Sequence, residues 1–191
     1  MSPEIASEVL PEMGSEMSLV SASSPFSFAL RVYWEDTDAG GVVFYANYLK
    51  YFERARTEWL RSLGFGQERM RIEAGVMFIV TDTSLRYLRP ARLDDLLDIT
   101  VQVERAGRAQ MVIAQQAWRR GDTAVGTSVS ASASAPVSQL LAKGTIRIGC
   151  VDAGTFKPQR IPISISEAIA PNSKINPSQN SSHNPSHGTT G

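Results

Sequence analysis

Three carboxylates, Glu35, Asp36 and Asp38, fall within four residues, and the Gly40–Gly41 pair follows them almost at once. A short apolar run then leads to Asn47, where a helical period begins. An ionised carboxylate can attack a carbonyl carbon or take a proton from water. A helix N-terminus offers unpaired N–H groups and roughly half a positive charge, which suits a carbonyl oxygen gaining negative charge. The spacing brings both resources into one short stretch of chain. Taken alone, the same residues admit two plainer readings. One is a solvated acidic turn before a helix; the other is a Mg²⁺ site, which usually needs substrate phosphates as well.

The flanking elements must position this stretch. Phe28, Leu30, Val32 and Trp34 alternate with Ala29, Arg31, Tyr33 and Glu35, which predicts a strand delivering the acids. Residues 47–63 predict a helix, because Tyr48, Phe52, Ala55, Trp59 and Leu63 share one stripe. Asn47 is the predicted N-cap and Gly64 the stop. Strands are predicted at 76–88, 96–105, 109–118 and 139–151. In the second of these, Leu97, Ile99, Val101 and Val103 alternate with Asp98, Thr100, Gln102 and Glu104, and Gly107 marks a tight hairpin after it. In the last, Ile146, Ile148 and Cys150 share a face, so Cys150 reads as inert core. Strand, helix, then four strands define an antiparallel α+β domain. Its helix is about 25 Å long and about 10 Å wide. The sheet is about 24 Å across, with strands up to about 40 Å. One helix cannot cover that face, so a surface or an edge is expected to be buried in a homodimer or homotetramer.

Composition bounds the function. With 191 residues, 42% apolar and 20% charged, the chain is of ordinary soluble type. Basic and acidic residues cancel at 19 each, but unevenly. The first 25 residues hold Glu4, Glu8, Glu12 and Glu16 and no base, leaving residues 26–165 with a net charge of +4. That surplus suits an anionic small ligand and is too small for nucleic acid. The single cysteine excludes an intrachain disulfide and a cysteine zinc site. Both histidines, His183 and His187, lie in the Asn/Ser/Pro-rich terminal segment, so triads and metal sites that need a domain histidine are set aside, and no metal is expected. No run approaches the length of a membrane helix and no signal peptide is evident, so a cytoplasmic protein without membrane insertion is expected. The composition divides the chain into a disordered leader (1–25), a domain (26–165) with a low-complexity hairpin insertion (121–138), and a disordered tail (166–191).

The string EDTDAGGVVFYANYLKYFERARTEWL, residues 35–60, closely resembles the signature of hotdog-fold acyl-CoA thioesterases. It is similar to the 4-hydroxybenzoyl-CoA thioesterase class and within it to the branch associated with the Tol-Pal system. The resemblance resumes at YLRPARLDDLLDITV (87–101) and LAKGTIRIGCVDAGTFKPQRIP (141–162). It implies an α+β hotdog fold, with a five-stranded antiparallel sheet wrapped on one central helix. It implies hydrolysis of an acyl-CoA without a separate cofactor, coenzyme A being part of the substrate, and acyl carrier protein as a possible partner. The family's catalytic carboxylate matches Asp38, and its carbonyl-polarising amide falls at Tyr45. The Tol-Pal branch carries histidine at the Tyr45 position, whereas the 4-hydroxybenzoyl branch carries tyrosine; an amide serves from either. Gly41 and Val42 match the substrate-binding turn. Arg89 and Arg92, with Arg86 around Pro90, read either as a solvated basic turn or as contacts for coenzyme A phosphates.

Two helix residues stay open. Glu53 sits where a related thioesterase class places its carboxylate, and here it reads as flanking. Arg56 falls among Phe52, Ala55, Trp59 and Leu60, and reads as snorkelling or as paired with Glu35 or Asp36. A hotdog acyl dehydratase would need a domain histidine. A non-catalytic acyl-CoA or acyl-carrier-protein binding module remains the alternative from another class.

Overall fold

The computed structural model describes residues 24–121 and 138–169. Most of the predicted leader, insertion and tail, and both histidines, lie outside the described residues. The chain forms β1 (Phe26–Arg31), α1 (Asn47–Ser62), α2 (Gln67–Arg69), which continues as a wider helical turn through Met70–Ala74, and β2 (Val76–Tyr87). These are followed by β3 (Leu96–Ala106), β4 (Gln110–Arg119), β5 (Gln139–Asp152) and α3 (Ile163–Ile169). The strands make one antiparallel sheet in the order β1-β3-β4-β5-β2. This is the hotdog arrangement, with α1 as the filling.

Register follows from the period-2 alternation read in the sequence. Phe28 lies opposite Ile99, Ile99 opposite Ala117, Ile113 opposite Ile146 and Phe78 opposite Cys150, so one face carries the apolar set of all five strands. Tyr48, Tyr51, Phe52, Ala55 and Leu60 of α1 bury against that face. Burying a side chain the size of Phe52 contributes on the order of 1.5–3 kcal/mol. Cys150 is part of this core, and burial pushes its thiol above the ordinary range. The β3–β4 turn closes with the Gly107 N–H donating to the Gln110 carbonyl at 2.8 Å. In β2, Val80 pairs with Ile148 but Asp82 pairs with Arg147, so Thr81 is the extra residue of a bulge.

Several local expectations need correction. Trp34 does not end a strand: β1 stops at Arg31, and Trp34 is 79% exposed in a 3-10 turn, Trp34–Asp36. The turn breaks the alternation because Asp36, not Trp34, folds inward. Asn47 is the first residue of α1 rather than its cap, a position that Ala46 holds. Gly64 does end the helix, in the left-handed conformation at φ +91°. The helical segment 67–74 was not foreseen. The domain boundary at 165 falls inside α3, whose Ile165 and Ile169 are buried and which packs against β3. No helix among the described residues is long and apolar enough to cross a membrane.

One glycine sets how closely α1 approaches the sheet. A Cβ added at Gly144 of β5 would lie 2.7 Å from the Ser84 carbonyl oxygen and 3.2 Å from Cε2 of Phe52. The missing side chain is the space into which Phe52 descends. Gly144→Ala is therefore expected to destabilise the domain by about 1–3 kcal/mol through overpacking. Urea denaturation at unchanged m-value checks it.

Candidate active site

The chain leaves β1 through Val32, whose N–H donates to the Asp95 carbonyl at 3.0 Å, and enters the 3-10 turn. Asp36 then turns into the protein. Its Oδ2 accepts from the Tyr33 N–H at 2.9 Å. Its backbone carbonyl accepts from the Phe44 N–H and from Nδ2 of Asn47, both at 2.9 Å. The Tyr51 hydroxyl, fully buried, lies beside this carboxylate without meeting hydrogen-bond geometry. Burial first, then the Asp36 charge, hold that phenol protonated far above its usual range. Asp36 is a structural acid.

Between these anchors the chain makes a tight hairpin. Thr37 bridges Val43, the Asp38 N–H donates to the Val42 carbonyl at 2.9 Å, and the Gly41 N–H donates to the Asp38 carbonyl at 3.0 Å. Gly41 has φ +72°, a conformation open to glycine at little cost. Asp38 stands at the exposed tip. Its Oδ1 accepts from the Gly40 N–H at 2.8 Å, which fixes the carboxylate, and its Oδ2 is engaged by no described residue. The hairpin is stitched sideways to the segment before β3: the Val43 N–H donates to the Ala91 carbonyl, and Val42 bridges Arg92. The Ala91 N–H in turn donates to the Tyr48 hydroxyl of α1 at 3.1 Å.

Tyr45 occupies the turn that opens α1. Its carbonyl accepts from the Tyr87 hydroxyl at 2.9 Å, and its ring, 62% exposed, packs edge-on to that of Tyr87. The Tyr45 and Ala46 amides donate to no described residue. The helix start thus presents free N–H groups with the sign of charge a carbonyl oxygen seeks.

The other predicted residues separate. Arg92 adjoins the hairpin through the Val42 bridge. Arg89 lies against β5, its Nη1 donating to the Leu140 carbonyl at 3.3 Å. Arg86 pairs with Lys143, in the register facing away from α1. Arg56 takes neither acid suggested for it: its Nη1 donates to Oε1 of Gln115 at 2.7 Å. Gln115 is fully buried on β4, and its Nε2 donates to the Phe52 carbonyl at 3.0 Å. Glu53 is exposed and accepts from the Thr57 hydroxyl at 2.7 Å. Among the described residues, no group of three His, Cys, Asp or Glu side chains is placed to hold a metal ion. The sequence reading missed Gln115, Tyr51, Tyr87 and the anchoring role of Asn47. Gln115 had a signal, since it breaks an apolar alternation between Ile113 and Ala117.

An antiparallel sheet around one helix, with an exposed acid on a pinned hairpin before the helix start, defines a hotdog-fold thioester hydrolase. The chain belongs to the thioesterase superfamily, whose family model matches residues 40–125. It is 38% identical over 144 residues to the acyl-CoA thioesterase YbgC of Haemophilus influenzae, covering 75% of this chain and 93% of that protein. It is 36% identical over 140 residues to the acyl-CoA thioester hydrolase YbgC of Escherichia coli, covering 73% and 92%. Among solved structures it is similar to a probable thioesterase from Bartonella henselae, with a TM-score of 0.59 and 28% identity over 73% of this chain and 100% of that one. A 4-hydroxybenzoyl-CoA thioesterase, at 16% identity and a TM-score of 0.64 over 75% and 97%, shares the fold.

The two aspartates of the motif should separate in a stability measurement. Asp36→Ala removes a buried acceptor from the Tyr33 N–H and is expected to cost about 1–3 kcal/mol. Asp38→Asn keeps the acceptor for Gly40 on an exposed tip and is expected to stay within about 0.5 kcal/mol of the parent. Thermal unfolding of both variants at pH 7 checks the contrast.

Proposed function

We propose that the protein hydrolyses acyl-CoA thioesters, with Asp38 as the reacting carboxylate and the Tyr45 amide polarising the thioester carbonyl. The observation that carries this reading is the hairpin: an exposed carboxylate held by one oxygen, with the other free, on the loop that feeds a helix start with unpaired amides. The names of the relatives support the substrate class, since both YbgC proteins are acyl-CoA thioester hydrolases.

Two routes fit the same geometry. In one, Oδ2 of Asp38 attacks the thioester carbon, the C–S bond breaks, and coenzyme A leaves as its thiol after protonation. Water then cleaves the acyl-aspartyl anhydride. In the other, Asp38 takes a proton from water, the hydroxide attacks, and the proton passes to the departing sulfur. In both, the helix-start amide meets the oxygen as it gains charge, and stabilisation grows towards the transition state. Gly41 and Val42 offer backbone beside the thioester, and Arg92 next to Val42 is placed for a coenzyme A phosphate. Arg89 is a more distant candidate for the same role. The chemistry calls on no cofactor beyond the substrate's own coenzyme A, and an acyl carrier protein would present the same thioester.

We further propose a homodimer or homotetramer. β2 is a twelve-residue edge strand, and Val80 and Tyr87 remain half-exposed on its helix-facing side. Such an edge calls for a partner strand or a cover. Sedimentation at micromolar concentration is expected to show a species larger than the 20.8 kDa chain; a compact monomer with native secondary structure overturns this.

Asp38→Asn keeps shape and removes charge. It is expected to lower kcat at least about 10²-fold, while the Kd for acyl-CoA changes far less. A thiol-release assay on an acyl-CoA panel, paired with calorimetric binding, reads both quantities. Parent-like turnover by Asp38→Asn refutes the mechanism, and binding without hydrolysis by the parent identifies a binding module instead.

A further inference from the structure

We propose that the cavity between the C-terminal half of α1 and β2 receives the far end of the acyl group and selects a hydroxyl there through Arg56 and Glu53. The inference rests on the acyl-CoA reading above and extends it to the substrate's distal end.

The helix start and this cavity lie at the two ends of the seam between α1 and β2. At one end of β2, the Tyr87 hydroxyl meets the Tyr45 carbonyl at the start of α1. At the other, Phe78 and Val80 line a cavity of about 100 Å³ together with Glu53, Arg56 and Trp59. β2 therefore runs antiparallel along α1. Leu49 and Glu53 lie four residues apart and so share one stripe of α1. Leu49 is 43% exposed on this stripe. The rise from Tyr45 to Glu53 and Arg56 is about 12–16 Å. That length suits an extended acyl chain of several carbons rather than a short one.

The cavity is apolar at its base, where Met111, Ile113 and Ile148 form the wall, and polar on one side. The polar side is built rather than incidental. Gln115 is the one polar residue on the helix-facing side of β4 between Met111 and Ala117, and it is completely buried. Its amide nitrogen is committed to the Phe52 carbonyl, which turns its oxygen towards Arg56. The guanidinium is thereby held at the cavity wall by a single bond, although it carries five N–H donors. Glu53 is close enough for its charge to favour the guanidinium, yet no ion pair joins the two among the described residues. Burial works the other way and pulls the Arg56 pKa below its ordinary value. A partly desolvated cation with donors to spare, next to an acceptor carboxylate, is a recognition pair awaiting its ligand.

The chemistry of that pair chooses the ligand. A hydroxyl accepts from Arg56 and donates to Glu53. A methyl terminus would leave the guanidinium donors unpaired in a drying cavity, and a carboxylate terminus would face Glu53. Sites that hydrogen-bond a substrate hydroxyl discriminate against analogues lacking it more strongly than apolar pockets sort by size.

The test compares ω-hydroxydodecanoyl-CoA with dodecanoyl-CoA, measuring kcat/KM for each with the full-length protein. The parent is expected to prefer the hydroxylated compound by at least about tenfold. Arg56→Met is expected to abolish that ratio and Arg56→Lys to retain part of it. Glu53→Met, on the exposed rim, tests the acceptor half without touching the buried Gln115, with circular dichroism verifying the fold of each variant. Equal rates for the two compounds in the parent, or a preference that survives both methionine variants, overturn the inference and leave the acyl-CoA reading standing. Hydrolysis of neither compound, nor of any other acyl-CoA, overturns both.

Discussion

The backbone carbonyl of Asp36 accepts two hydrogen bonds, from the Phe44 N–H and from the Asn47 side chain, and the geometry of the candidate site hangs on that junction. It joins the point where the chain turns in from β1 to the point where it enters α1. A loop so closed at its base can carry glycines and an exposed acid at its tip without losing its shape. The Asp36 carboxylate adds the third tie, to Tyr33, and lies inside the protein at 6% exposure. Satisfied polar groups of this kind cost little when made and much when broken. The first aspartate of the motif thus holds the frame and the second stands exposed at the tip.

The sheet supplies the other half of the positioning. The Ala91 segment receives the hairpin on one side and ties to Tyr48 of α1 on the other. The hairpin is therefore braced against both the sheet layer and the helix it precedes. Gly144 beneath Phe52 lets α1 sit low on β5, and Tyr87 at the end of β2 meets the Tyr45 carbonyl. Helix, hairpin and edge strand converge on the same few residues. The helix start keeps its amides free because its carbonyl neighbour, not its N–H groups, has been used to anchor it.

The strands and α1 were legible in the sequence because period-2 and 3.6-residue patterns report directly on which face is buried. Leu97, Ile99 and Val101 all lie inward as their alternation predicts. The turn at Trp34 was not legible, since a large apolar residue in phase with the strand gives no sign that the backbone will curl and leave it in solvent. Nor was the Arg56–Gln115 pair, which joins residues 59 apart in sequence through a contact that exists only once α1 lies on β4. The α3 segment escaped because seven residues, with isoleucines at 163, 165 and 169, are too few to establish a period. Within the hairpin, residue types pointed to carboxylate chemistry, and the resemblance singled out Asp38. The burial of Asp36, which sets it apart from the exposed Asp38, depends on tertiary packing.

The bulge at Thr81 bears on how such a protein can diverge. The extra residue resets the phase of β2, so that Val80 and Thr83 both align with the inward residues Ile148 and Ile146 while Asp82 aligns with Arg147 on the other side. Had the ladder run on unbroken from Val80, Asp82 would take the inward place and bring a charge to the side that faces α1. A single-codon insertion or deletion in this strand would exchange one set of helix-facing side chains for its complement, Tyr87 at the helix start among them.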